Sequence, residues 1–348
     1  MIRRFVFLFL VLLCCGSVVS AGESVPRLPL PVPPTVSSEL QRIIAAAPPA
    51  DWNNHPKDTA AWQTWRAALE QPATAAMPAL RKALGVSVER TTLGGVAVFV
   101  YTPENLPEDR ADRVLICLHG GGYVFGSGES AAQESIMMAG LGQYRVVHVD
   151  YRLAPEWPYP AAIDDAMRVY RAVLATTPAS RVGVLGTSTG GGMALILALR
   201  ARAEGIPLPA ALGAGTPWVD LTKTGDSYAT NEGVDTVLVS YEGWLRDAAD
   251  VYAGGHDMRD PMLSPIYGNV HDFPPTLLTT GTRDLFLSNT VRMHLKLRQA
   301  GVAADLLVFE GISHAQYLAG PDVPETRWYF KELAQFFDAH LQERRERP

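Results

Sequence analysis

Apolar positions fall in two rhythms along this chain. From residue 86 onward, short apolar runs recur: Val114–Leu118, Val146–Val149, Val182–Leu185, Thr276–Gly281 and Asp305–Phe309. Runs of this length, with few polar breaks, are the pattern of strands buried on both faces of a parallel sheet. Between them lie stretches with helical spacing, such as Met193, Leu195, Ile196 and Leu199. Ahead of them, Val86–Val88 and Val96–Tyr101 read as a hairpin. The alternation predicts a mostly parallel sheet covered by helices on both sides, entered through an antiparallel pair at its N-terminal edge.

Before residue 86 the second rhythm dominates. Trp62, Trp65 and Leu69 are spaced i, i+3, i+7 and share one helical face. Pro78 is placed to open a further short helix that ends near Gly85. A third helix is expected after Ser240, carrying Tyr241, Trp244, Leu245, Ala248, Val251 and Tyr252 and stopping at Gly254-Gly255. Residues 22–36 are Pro-rich and read as an extended linker. At the start, Arg3 and Arg4 precede the apolar run Phe5–Leu13 and small residues through Ala21. That order predicts a signal peptide over residues 1–21, with export after cleavage. The run is too short for a comfortable membrane span. Cys14 and Cys15 raise a lipoprotein alternative, but their flanks fit the lipidation signal poorly.

Composition changes this picture little. The 348 residues are 47% hydrophobic, enough for a doubly covered sheet, and the net charge of −6 argues against a nucleic-acid partner. With cleavage after Ala21, Cys117 is the one remaining cysteine and reads as a small core residue.

The candidate chemistry lies where the rhythms change. Gly186-Thr-Ser188-Thr-Gly190 joins the end of one strand to the start of a helix, a turn that lifts a serine clear of the backbone. Val114–Leu118 runs into His119-Gly120-Gly121-Gly122, whose glycines let backbone N–H groups face an oxyanion. A phosphate loop would add Lys and Ser or Thr, whereas this one continues Tyr123-Val124-Phe125. Asp284 and then His314 follow two later strands, at ends that converge on one crevice in an open parallel sheet. Asp260 is the rival acid, but it sits in a Pro-punctuated turn with no strand before it. Of the eight histidines, His119 belongs to the glycine loop and His148 to a strand core. His55, His256, His271, His294 and His340 read as surface residues.

On these residues the chain resembles the hormone-sensitive-lipase branch of the α/β-hydrolases, the bacterial carboxylesterases. The matching stretches are His119–Tyr123, Asp150–Glu156, the Ser188 turn, Pro217–Asp220, Asp260–Pro265, Asp284 and His314. Two positions depart: Thr187 and Thr189 flank the serine where the family usually carries Asp and Ala. The second would narrow or polarise the site while its N–H keeps its use. His314 is followed by Ala315-Gln316-Tyr317 where Gly-Phe is common.

The resemblance implies an α/β-hydrolase fold with a helical cap. The cap would comprise residues 37–85 and an insertion at about 225–258, within a catalytic domain spanning 86–343. It implies a serine carboxylesterase acting on short- to medium-chain acyl esters through an acyl-enzyme. Ser188, Asp284 and His314 would form the triad, and the N–H groups of Gly121, Gly122 and Thr189 the oxyanion hole. Tyr123, Trp218 and Tyr317 are the expected substrate-binding residues. Asp150, Arg152 and Glu156 are expected to brace loops. No metal or cofactor is implied, the partner is a small-molecule ester, and exposed edge strands allow a homodimer. Lactone or acetyl-ester hydrolysis stays open within the same mechanism. An amidase and a non-catalytic small-molecule binder are the alternatives of another class.

Overall fold

The computed structural model describes residues 30–341. The expected signal peptide and the first part of the Pro-rich linker lie outside the described residues, as do residues 342–348. Two helices come first, α1 (Ser38–Ile44) and α2 (Thr59–Leu84), then the hairpin β1 (Val86–Leu93) and β2 (Val96–Pro103). The alternating part runs β3 (Val114–Leu118), α3 (Gln133–Gly140), β4 (Arg145–Val149), α4 (Ala161–Leu174), β5 (Val182–Thr187) and α5 (Thr189–Ala203). It continues with β6 (Ala211–Gly215), the short helices α6 (Ser227–Thr230) and α7 (Trp244–Ala253), then β7 (Thr276–Gly281), α8 (Leu287–Gln299), β8 (Ala304–Phe309) and α9 (Pro324–His340).

The strands form one eight-stranded sheet in the order β1-β2-β4-β3-β5-β6-β7-β8. β2 runs antiparallel to both β1 and β4, and every other pair is parallel. β3, β5, β6 and β7 are buried along their whole length, which accounts for the absence of charged residues in them. Two hydrophobic clusters cover the two faces. One gathers α4, α5 and α7, and the other α1, α3 and α9. This layering places the carboxyl ends of β3, β5, β7 and β8 at one rim.

The N-terminal helices differ from expectation. The two helices expected before Gly85 are one helix of 26 residues, with Pro72 and Pro78 inside it. An interior proline costs about 3 kcal/mol or more through the lost N–H bond and ring clash. Burial of Trp62, Met77 and Leu80 along one stripe offsets that cost. The stop is as the sequence suggests: Gly85 is left-handed (φ 61°, ψ 49°) and donates back to Lys82 and Arg81 carbonyls. The strand β6, Ala-Leu-Gly-Ala-Gly, is an element that the hydrophobic pattern does not announce.

Candidate active site

Ser188 stands between β5 and α5 with φ 63° and ψ −124°, a conformation that costs a non-glycine residue on the order of 1–3 kcal/mol. Backbone bonds hold it there. Its N–H donates to Gly215 O at 2.8 Å, and its carbonyl accepts from Gly192 and Trp218 N–H, both at 3.0 Å. The turn closes only because its neighbours lack side chains: a Cβ on Gly190 would lie 1.8 Å from the Leu118 carbonyl oxygen. Thr189 is the first residue of α5, so its N–H falls among the first-turn donors that have no intrahelical acceptor.

The glycine loop after β3 lies directly beside this turn. A Cβ on Gly120 would come 3.2 Å from Ser188 Cβ. Gly121, Gly122 and Tyr123 all have positive φ (113°, 65° and 65°), and a Cβ on Gly121 would strike the Phe125 carbonyl oxygen at 2.4 Å. Helix α2 secures the loop from outside. Glu70 accepts from Gly126 N–H at 2.6 Å and Ser127 N–H at 2.8 Å, while Arg66 donates to Val124 O at 2.7 Å. Beneath it, His119 stacks on Tyr151 with ring centroids 3.9 Å apart. Burial pushes the His119 pKa down to about 4, so it is a neutral brace.

Asp284 and His314 meet as the strand ends predict. His314 Nδ1 lies 3.0 Å from Asp284 Oδ1, with Asp284 fully buried and His314 nearly so. Thr280 Oγ1 donates to Asp284 Oδ2 at 2.8 Å, Thr216 Oγ1 donates to the same oxygen, and Phe286 N–H donates to Oδ1 at 2.8 Å. Burial works to raise the Asp284 pKa. The charge of His314, its hydrogen bond and those of Thr216 and Phe286 N–H outweigh it, holding the carboxyl below its ordinary value. The rival Asp260 is spent locally, accepting Met262 N–H at 2.8 Å.

Three expectations need correction. Tyr123, Trp218 and Tyr317 are sealed in the interior, each at most 1% exposed. Tyr123 stacks on Tyr252 at 3.6 Å and Trp218 on Phe286 at 5.3 Å. The Tyr317 hydroxyl lies 3.0 Å from Thr187 Oγ1, beneath the serine turn. Closed to solvent, these rings pack inside the walls of the site and do not line an open pocket. Thr187 and Thr189 are likewise buried, so neither side chain narrows the site. His148 lies in the strand core as expected, with Nδ1 2.9 Å from Ser135 Oγ. Surface placement holds for His55, His256 and His271, whereas His294 and His340 are half-buried.

The Asp150–Glu156 stretch pins loops through three separate partners. Asp150 accepts Gly128 N–H, Arg152 grips Asp165 with two nitrogens, and Glu156 pairs with Arg66. Cys117 is buried in β3, and burial raises its thiol pKa well above the ordinary range, which makes it inert.

Residues that sequence reasoning missed complete the surroundings. Thr216 comes from the end of β6. Asp235 is a second buried carboxylate beside the pair. Glu134, on α3, accepts from Thr187 Oγ1 at 2.8 Å, and burial lifts its pKa to about 7. Only a burial pattern in α3 could have flagged Glu134, because it is a charged residue inside an otherwise buried helix face.

A strained serine between strand and helix, a glycine loop beside it and an aspartate–histidine pair at neighbouring strand ends define the class of α/β-hydrolases. A family model described as the alpha/beta hydrolase fold matches residues 115–318, and a carboxylesterase family model matches residues 45–155. The chain belongs to the α/β-hydrolase family, in its hormone-sensitive-lipase-like bacterial branch. It is 40% identical to a solved esterase, E25, over 92% of this chain and 99% of that one, with a TM-score of 0.87. A solved esterase of the bacterial hormone-sensitive lipase family is 29% identical, covering 88% of this chain and 99% of that one at a TM-score of 0.72. Among curated relatives, an acetyl-hydrolase of Streptomyces hygroscopicus is 32% identical over 64% of this chain and 74% of its own. An esterase of Acinetobacter venetianus is 30% identical over 65% and 75% respectively. The chain is a carboxylic ester hydrolase. Among the described residues no helix is long and apolar enough to cross a membrane.

Proposed function

We propose that the protein hydrolyses short-chain acyl esters through an acyl-enzyme on Ser188. The observation that carries this reading is the Asp284–His314 hydrogen bond at the rim where Ser188 is raised on its strained turn. His314 takes the serine proton as Oγ attacks the ester carbonyl, and Asp284 fixes the imidazole tautomer and stabilises its charged form. The N–H groups of Gly121, Gly122 and Thr189 receive the oxyanion. His314 then protonates the departing alcohol, and water repeats the sequence on the acyl-enzyme.

The short-chain part rests on an aromatic wall. Trp244 of α7, Trp65 of α2 and Phe125 are half-buried and pack edge-on with centroids 4.9–6.2 Å apart. Trp244 presses on the glycine loop so closely that a Cβ on Gly122 would lie 2.8 Å from its ring. A wall that near the oxyanion donors limits acyl length. Relatives described as acetyl-hydrolases fit the same reading. On this reading α2 and α7 form a cap over the strand ends. We also propose export after cleavage at Ala21, which N-terminal sequencing of the mature protein tests.

The direct experiment is hydrolysis of p-nitrophenyl acetate, butyrate, octanoate and palmitate, with Ser188→Ala alongside. Turnover of the two short esters, absent in the variant, is the expected result. A folded Ser188→Ala variant with wild-type rates would remove Ser188 from the mechanism.

A further inference from the structure

Between β6 and β7, residues 231–238 reach over both loops that carry the acid and the histidine. Asn231 Nδ2 donates to the Asp284 carbonyl at 2.8 Å, and Thr236 N–H donates to Ser313 Oγ at 2.9 Å. At the centre lies Asp235, 1% exposed. Its Oδ2 accepts Leu285 N–H at 2.7 Å and His314 N–H at 3.2 Å, while Oδ1 accepts Val237 and Leu238 N–H at 2.7 and 2.9 Å. One carboxylate thus joins the residue after the acid, the histidine itself and the segment from which it comes. Among the described residues its hydrogen bonds all come from backbone N–H groups and no ion pair offsets its burial. A buried anion is costly to keep, and this one is spent on the two loops whose separation fixes the Asp284–His314 bond.

We propose that Asp235 is a positioning residue for the reaction: it clamps the acid loop to the histidine loop and adds a second negative charge behind the imidazole. The charged groups that face it are Asp284 and His314. Burial first, then the Asp284 charge, push its own pKa up to about 6, against the opposing pull of His314 and backbone N–H groups. Above that pH it stands ionised and favours the imidazolium that forms as Ser188 gives up its proton. The clamp cannot be reproduced by an amide, whose NH₂ would face two of the four N–H donors.

The proposal rests on the Ser188–Asp284–His314 reading, and the test separates the two. Asp235→Asn and Asp220→Asn are compared with wild type on p-nitrophenyl butyrate for kcat, KM, pH profile and melting temperature. Asp220 is an equally buried carboxylate whose bonds go to Thr222, Tyr267 and Arg292. Asp235→Asn is expected to lower kcat about 10- to 100-fold with KM within about twofold, since small misplacements of reacting groups cost that much. Its acid limb should move to lower pH, because the imidazolium loses a neighbouring anion. Asp220→Asn should lower melting temperature while leaving the pH profile in place. A folded Asp235→Asn with wild-type kcat and an unmoved acid limb would overturn the proposal. Should that variant not fold, hydrogen exchange on the wild-type protein decides. Leu285 and His314 amides protected as strongly as those of Val237 and Leu238 support the clamp, and exchange at the rate of open loops removes it. Activity surviving in Ser188→Ala would instead break the triad reading on which the clamp depends.

Discussion

Around Ser188 the restraints on the reacting residue are backbone contacts, whereas around His314 they are side chains, the carboxylates of Asp284 and Asp235 together with the Thr216 hydroxyl and the Phe286 ring. At the serine turn, strand, helix and glycine loop approach so closely that Gly186, Gly190 and Gly191 cannot carry a Cβ without meeting a carbonyl oxygen at 3.0 Å or less. At the histidine, Asp284 holds the ring and Asp235 holds the main chain. The first arrangement is rigid because main chain packs so closely on main chain that nothing has room to shift. The second stores its precision in two buried charges, so its failure should cost rate before it costs fold.

The strongest break in that comparison is Asp284→Asn. The amide leaves the shape of the site but cannot fix the imidazole tautomer, and kcat should fall by a factor of about 10⁴ while the cooperative unfolding transition remains. Steady-state kinetics beside thermal melting checks both halves. Collapse of the fold with the rate would mean that the acid is first a structural residue. On the serine side the converse is expected. Gly190→Ala drives a methyl into the Leu118 carbonyl, a backbone group that cannot swing aside, and should cost about 3 kcal/mol or more, read as loss of soluble folded protein or a large fall in urea midpoint.

This division also separates what the chain spells out from what it does not. The serine turn and the glycine loop are legible because their geometry is local: glycines stand within a few positions of Ser188 and of Gly121. Asp284 and His314 are legible one step later, from their places after apolar strands. Asp235 is not, because its partners lie 50 and 79 residues away and nothing around it repeats with a structural period. Thr216 is hidden for another reason. The preceding strand β6 is built of small residues with little strand preference, because Leu333 and Leu185 crowd Gly213 while the Tyr317 and Thr187 hydroxyls crowd Gly215. Tyr123, Trp218 and Tyr317 mislead because an aromatic ring near a strand end serves a pocket or a core equally well, and only burial tells which.

One carboxylate does lie on the serine side, and its protonation sharpens the contrast. Glu134 sits beneath Thr187 with its pKa raised to about 7 by burial, against the lowering effect of its Thr187 hydrogen bonds. Its folded pKa is above its unfolded one, so the native state holds a proton that the unfolded chain releases. The associated stability is full below about pH 4.5 and is lost as pH rises through about 7, an effect of roughly 3 kcal/mol. Glu134→Gln keeps an acceptor for Thr187 and removes this titration. Urea denaturation at pH 5 and pH 8 should therefore show a smaller loss in the variant than in wild type. An equal loss in both would place the titrating group elsewhere.

The smallest effect concerns the wall above both regions. Trp244 touches the glycine loop from α7 and meets Phe125 and Trp65 edge-on, so it couples the outer helices to the oxyanion donors without belonging to either restraint system. Trp244→Ala removes ring volume next to Gly122 and leaves the Ser188 and His314 bonds untouched. If the wall sets acyl length, octanoate should gain on acetate by about tenfold in the ratio of kcat/KM, the size expected when a few methylenes gain apolar room. Acetate turnover should stay within a small factor of wild type, because the reacting groups do not move. A ratio that stays fixed while both rates fall would show Trp244 to be a support for the glycine loop. In that case the limit on acyl length would have to come from residues on the β6–β7 side of the rim.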